Sequence, residues 1–179
     1  MVKPIVFYLA FAALNINATV LDGPSDVISW SENYQLKFSD FKGKAKIDKN
    51  NKLPRGEFAI NISWIATIGD GEPKYQLYNK FNPQKSWMNI NHTELIKEYQ
   101  FIWNLQEFYV RKARKQIDDL NKKHELKEEV YLDAINKTIN QFHKARKHYD
   151  GILQNQPDLY RILNTKYQDS LKLYNKYKL

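Results

Sequence analysis

The sequence predicts an α+β fold, in which a small N-terminal antiparallel or mixed sheet packs on a long helix and two further C-terminal helices. Residues 19–91 change character over short intervals and contain strand-like alternation, whereas residues 92–179 repeat apolar side chains at three- and four-residue spacing. The length of 179 residues, with 42% hydrophobic content, suits one sizeable core and is short for two domains. We therefore expect a single domain over residues 19–179, mainly β before residue 92 and mainly α after it.

Residues 1–18 have the features of a cleavable secretory signal. Lys3 provides a basic start, an apolar run extends from Ile5 to Leu14, and the small residue Ala18 closes the segment. The apolar run is about half of the ~20 residues that a membrane-spanning helix needs. The chain has no cysteine, so neither disulfides nor lipid attachment is expected. These features predict an exported protein, periplasmic or extracellular, that is not a lipoprotein and has no stable membrane span.

Three strand candidates precede the helices. The run from Glu57 to Thr67 is rich in β-branched and aromatic residues and alternates in part. Its predicted buried side carries Phe58, Ile60, Ile62 and Trp64. The run from Lys74 to Phe81 can pair with it as a hairpin across Gly69-Asp70-Gly71. The segment from Tyr34 to Phe38 is a third, short candidate.

Three helices follow. The first is expected from about Glu94 to His124, with Thr93 as its cap, because apolar residues recur there with helical spacing. The second is expected from Lys127 to Tyr149. Gly151 and Pro157 then interrupt the pattern, and the last helix runs from Pro157 or Asp158 to Tyr177.

Short motifs occur at intervals through most of the mature chain. They comprise Ile28, Trp30, Ser31, Leu36, Phe38, Asp40, Phe41, Gly43, Ser86, Trp87, Leu95, Ile96, Gln100, Leu105, Glu107, Arg111, Lys112 and Arg114. Their order resembles one bacterial family of secreted zinc-dependent proteases, whose pattern reads I-x-W-S, L-x-W-x-D-F-x-G, S-W, L-L-x-H-E-Q-x-H-F-D-I and A-R-x-L-R. The resemblance implies a zincin-like fold.

The departures from that family fall on its metal-binding positions. A helix with H-E-x-x-H holds zinc with two histidines on one face and places the glutamate as general base. Here Glu98 and Ile102 replace the two histidines, Tyr99 replaces the catalytic glutamate, and Asn104 replaces a following aspartate. Isoleucine donates no electron pair to a metal, so we expect Ile102 to pack in a filled former active site. The resemblance thus implies a pseudoenzyme without catalytic residues, metal or cofactor.

Other potential ligands leave a second interpretation open, a metal-dependent peptidase with substituted ligands drawn from His92, Glu98 and Glu107. Catalytic zinc generally takes three protein ligands. The four histidines, His92, His124, His143 and His148, show no ligand spacing. His92 directly precedes the motif helix and is the histidine to test for a displaced metal.

A basic cluster, Arg111, Lys112, Arg114 and Lys115, is a candidate partner surface, although packing or pairing with acidic neighbours is the simpler role. The chain has 28 Lys+Arg and 20 Asp+Glu, a net charge of +8, but its bases are interspersed with acids along helices. Export and the lack of interleaved aromatic residues argue against nucleic acid. We expect a secreted or periplasmic non-catalytic domain that binds or scaffolds another envelope or secreted protein, with its oligomeric state left open.

Overall fold

The computed structural model describes residues 27–46, 55–69, 72–149 and 156–179. Within these ranges, five strands and three helices occur in this order: β1 Ile28–Ser29, β2 Gly56–Glu57, β3 Ile60–Gly69, β4 Glu72–Phe81, β5 Trp87–Met88, α1 Thr93–Asn121, α2 Glu128–Tyr149 and α3 Pro157–Leu173. Short 3-10 turns lie at Phe38–Asp40, Pro83–Lys85 and Asn175–Tyr177. The predicted α+β class is confirmed. The signal segment 1–18 lies outside the described residues, as do Asp70, Gly71 and Gly151.

The strands form two small antiparallel sheets. The first has the order β1-β4-β3, and the second pairs β2 with β5. The predicted hairpin is confirmed, because β3 and β4 pair from Ile60 opposite Phe81 to Gly69 opposite Glu72. β1 adds only to the C-terminal end of β4, where Ile28 lies opposite Phe81. Most of the hairpin is therefore two strands wide.

Two predictions about the strands were wrong. The segment from Tyr34 to Phe38 is not a strand, because the Lys37 amide donates to the Asp40 Oδ2 carboxylate oxygen at 2.7 Å and closes a 3-10 turn that begins at Phe38. Local side-chain bonds of this kind compete with a strand ladder. Trp64 is not buried: 40% of its surface is exposed.

The helices begin and end close to their predicted limits. α1 starts one residue earlier than expected, and its cap is His92, whose Nδ1 accepts a hydrogen bond from the Leu95 amide at 3.3 Å. α2 begins one residue later than predicted and ends at the predicted residue. α3 ends at Leu173, and a 3-10 turn at Asn175–Tyr177 occupies the rest of the segment predicted to be helical. Within the described residues, none of the helices is long and apolar enough to cross a bilayer.

α1 is the central element of the fold, because it contacts β4, α2 and α3. Its buried residues connect two apolar clusters. The larger contains Leu36, Phe58, Phe81, Phe101, Ile102, Trp103, Leu105, Phe142 and Leu163. The second contains Leu77, Val110, Ala113, Ile117, Tyr131 and Ile135. Both the motif positions and the basic cluster predicted from the sequence lie on this helix.

Candidate functional site

Of the four motif positions on α1, Glu98, Ile102 and Asn104 are buried and Tyr99 is half-buried. Ile102 is 1% exposed and belongs to the larger apolar cluster, as expected from its side chain. Glu98, one turn before it, is also buried. The neighbouring residues Phe101 and Trp103 are fully enclosed. This helix face therefore packs into the core and does not line an open cleft.

Tyr99, which the resemblance matches to the protease family's catalytic glutamate, is part of an aromatic stack. Its ring lies 4.7 Å from the ring of Phe58 at an interplanar angle of 11°, and 5.6 Å from the ring of Phe41. β2 approaches this stack closely: a Cβ atom on Gly56 would lie 3.1 Å from the Tyr99 hydroxyl and 2.7 Å from the Trp87 carbonyl oxygen. A glycine is therefore needed at residue 56, where β2 packs closely against the hydroxyl of the half-buried Tyr99.

Asn104 has a structural role that connects the N-terminal segment to α1. Its Oδ1 accepts hydrogen bonds from Trp30 Nε1 at 3.0 Å and from Gln100 Nε2 at 3.1 Å. Gln100 Oε1 in turn accepts from the Leu36 amide at 2.8 Å. Because a buried polar group without a partner is costly, these bonds favour an amide at residue 104. Trp30, Leu36 and Gln100 are among the residues that carry the resemblance to the protease family.

The three residues proposed as substituted metal ligands do not converge. His92 caps the start of α1, and Glu107 lies 15 residues further along the same helix axis, about 22 Å away at 1.5 Å per residue. Glu98 lies between them, about 13 Å from Glu107 on the same basis. No group of three or more His, Cys, Asp and Glu side chains that could hold a metal occurs in the described ranges.

Glu107 instead forms a buried ionic cluster with Arg111 and Arg114. Its Oε1 accepts hydrogen bonds from Arg111 Nε at 3.1 Å and from Arg114 Nη1 at 3.0 Å. Arg111 is 2% exposed and Glu107 is equally enclosed. Burying charges is costly unless they are paired and hydrogen-bonded, so the carboxylate stabilises both guanidinium groups inside the fold.

The two arginines also connect distant segments to α1. Arg111 Nη1 donates to the Leu171 carbonyl oxygen near the end of α3 at 2.7 Å. Arg114 donates to the Leu77 carbonyl oxygen on β4 through Nε at 3.1 Å and Nη2 at 2.8 Å, and to the Tyr177 carbonyl oxygen through Nη1 at 2.9 Å. Burial lowers the pKa of Arg114 below its ordinary value, while Glu107 acts in the opposite direction. The arginines thus hold β4, α3 and the C-terminal turn together.

The predicted basic partner surface needs correction, because its four residues do not share one exposed face. Arg111 and Arg114 point inward to Glu107, which lies four and seven residues earlier on the same face of α1. Lys112 and Lys115 lie on other parts of the helix. Lys112 Nζ donates to Gln141 Oε1 of α2 at 2.8 Å, and Lys115 Nζ pairs with Asp119 at 2.6 Å. The sequence signal for this internal cluster was Glu107, which lies four residues before Arg111 and seven before Arg114 and so shares their face of the helix.

A cavity of about 270 Å³ lies beside the ionic cluster. It is lined by Ser29, Trp30, Tyr78, Asn79, Glu107, Arg114 and Leu179. Its volume is below the usual range of small-molecule pockets, roughly 300 to 1,000 Å³. Asn79 Oδ1 is buried and has no hydrogen-bond partner among the described residues, so a single water molecule could satisfy it.

The surface that sequence reasoning missed is the free side of β3, here called the β3 edge. β3 lies at the end of its sheet, and in the described part of the chain β4 is the only strand paired with it. Residues 64–68 are all exposed, with Ile65 at 54% and Ile68 at 83%. All ten residues of the strand are uncharged. That absence of charge was visible in the sequence, but the position at the sheet edge was not.

No family model matches this chain, and neither the curated proteins nor the solved structures include a significant match to it. The relation to secreted zinc-dependent proteases therefore remains a prediction from short motifs.

Proposed function

We propose that this chain is a non-catalytic, zincin-like domain that is exported to the bacterial envelope or beyond and binds another protein. The observation that carries the proposal is the β3 edge, a ten-residue strand with no charged side chain and a run of exposed residues. The resemblance to secreted proteases and the signal-like residues 1–18 support export.

The packing of the motif positions supports the non-catalytic part of the proposal. A catalytic zinc site needs converging ligands and an open position for water. At the corresponding place on α1, Ile102 lies in the core and Tyr99 stacks on Phe58. Asn104 accepts two hydrogen bonds from protein groups. The replacements Tyr99, Ile102 and Asn104 therefore make packing or hydrogen-bond contacts within the domain.

The β3 edge supports the protein-binding part. Natural proteins usually protect an exposed sheet edge with lysine, proline, a bulge or a very short strand, because unpaired N–H and C=O groups recruit further strands. β3 is ten residues long and carries neither charge nor proline. Addition of a partner strand to such an edge is a common mode of protein recognition.

We predict that the purified domain carries no stoichiometric zinc, because a single carboxylate at residue 98 cannot hold a catalytic metal. Elemental analysis after purification without chelator measures this. One zinc per chain, lost together with peptidase activity in Glu98→Gln but retained in the exposed neighbour Glu94→Gln, would establish the substituted-ligand peptidase instead.

We also predict that a photo-reactive amino acid at Ile65 forms a protein adduct in cells that produce the protein, whereas the same group at Ile90 does not. The two isoleucines are matched in exposure, at 54% and 56%, but only Ile65 lies on the β3 edge. The lysine variant Ile68→Lys should abolish the adduct by placing a charge on the edge. Equal labelling at both positions, or none at either, would overturn the proposed binding role.

A further inference from the structure

We infer that the partner strand at the β3 edge is β3 of a second copy of this chain, paired antiparallel about a two-fold axis through Ala66. This inference rests on the proposed binding role of the edge and names its occupant. It follows from the direction of the backbone groups, the charge of the strand and the order of its side chains.

The backbone of β3 is arranged for a further strand. The Asn82 amide donates to the Ala59 carbonyl oxygen at 2.9 Å, and the pairing of β3 with β4 continues in the same register. In an antiparallel pair the bonded residues alternate, so the odd-numbered residues of β3 bond to β4. The even-numbered residues direct their N–H and C=O groups to the free edge. The even-numbered residues of the exposed run are Trp64, Ala66 and Ile68, with Ala66 at its centre.

The charge of the strand selects a second copy over a charged partner. The chain has a net charge of +8, so most pairings between two copies bring like charges together. β3 avoids this, because none of its ten residues is charged. An acidic or basic peptide would find no opposite charge along the edge, whereas an identical uncharged strand meets no repulsion.

The order of side chains suits a two-fold axis at Ala66. In that register Trp64 of each copy lies opposite Ile68 of the other, and the small Ala66 lies opposite itself. Aromatic and β-branched pairs across strands are favourable. Trp64 and Ile68 lie on the same side of the sheet as the buried Leu77, but both remain exposed because α1 packs mainly on β4.

The resulting assembly has a continuous antiparallel sheet with the order β1-β4-β3-β3-β4-β1. The assembly stops at two copies, because each copy uses its β3 edge for the contact and has none left for a third. Pairing over residues 64–68 involves only five residues of each copy, which is short for an interface, since stable protein–protein interfaces bury roughly 1,200 Å² or more. The dimer is therefore concentration-dependent.

Sedimentation velocity over a range of protein concentrations tests the inference on the full chain. We expect a monomer–dimer equilibrium that Ile68→Lys weakens by at least about tenfold, because each copy then places a charged lysine, in place of an isoleucine, opposite Trp64 of the other copy. Leu173→Lys is the matched control, since Leu173 on α3 is 84% exposed and Ile68 is 83% exposed. The control should dimerise like the unsubstituted protein.

A cross-linking experiment checks the register. The chain has no cysteine, so a single introduced thiol reports only contacts between copies. Ala66→Cys should give a covalent dimer with a short bis-maleimide, because residues opposite each other in a bonded pair are about 5.5 Å apart at Cα. Thr165→Cys, on an exposed part of α3, should not.

A protein that stays monomeric at every concentration, or a dimer that Ile68→Lys leaves unchanged, would refute the pairing of two copies. If the photo-reactive group at Ile65 then labelled a different protein, the proposed binding role would stand with another occupant. If it labelled nothing, both proposals would fall together.

Discussion

Glu107→Gln should lower the free energy of unfolding by about 3 to 5 kcal/mol, because removing one partner of a buried ion pair leaves its counter-charge uncompensated. In this protein the carboxylate supports two arginines, of which Arg111 is almost fully enclosed. The glutamine keeps the shape of the side chain but not its charge. Urea unfolding at neutral pH, followed by circular dichroism, measures the change.

The control for Glu107→Gln is Asp119→Asn, which removes the acid of an exposed pair with Lys115 on the same helix. Exposed pairs contribute little to stability, so its unfolding midpoint should stay close to that of the unsubstituted protein. If both variants unfolded alike, the arginines would not depend on Glu107, and the connection of β4 and α3 through them would have to be reconsidered.

Ile102→Ala should lower the free energy of unfolding by about 2 to 4 kcal/mol, through lost burial and the cavity left behind. The side chain lies in the larger apolar cluster and is 1% exposed. The same urea experiment measures the effect. Its result bears on function, since a residue that stabilises the core at this position supports a filled former active site.

Ile90→Ala is the matched control for Ile102→Ala, because it removes the same atoms from a side chain that is 56% exposed. It should unfold close to the unsubstituted protein. A near-neutral Ile102→Ala would mean that this face of α1 is accessible, and the position assigned to the former active site would be wrong.

The buried ionic cluster and the proposed binding edge are separate parts of this fold. The ionic cluster of Glu107, Arg111 and Arg114 lies inside the domain and contacts β4, α3 and the C-terminal turn. The β3 edge lies on the surface, in a part of the hairpin that β1 does not reach. Substitutions such as Ile68→Lys should therefore change association without the loss of stability expected for Glu107→Gln.

The sequence by itself determined the elements whose signal is local. The spacing of apolar residues placed all three helices within a few residues of their observed limits, because a helix presents one face every 3.6 residues. The alternation and turn residues of 57–81 predicted the hairpin, because side chains in a strand alternate between two faces and turn residues mark where the chain reverses. The burial of Ile102 also followed from its own side chain and its place on an apolar helix face.

The tertiary structure decided which faces are covered and by what. Arg111 and Arg114 are internal because the Leu77 and Leu171 carbonyl oxygens reach them from β4 and α3. Asn104 accepts a hydrogen bond from Trp30, which is 74 residues away in the chain. Trp64 alternates like a buried residue yet stays exposed, since α1 packs over β4 and leaves the β3 edge open. Periodicity reports which residues share a face, whereas their partners depend on segments brought together only by folding.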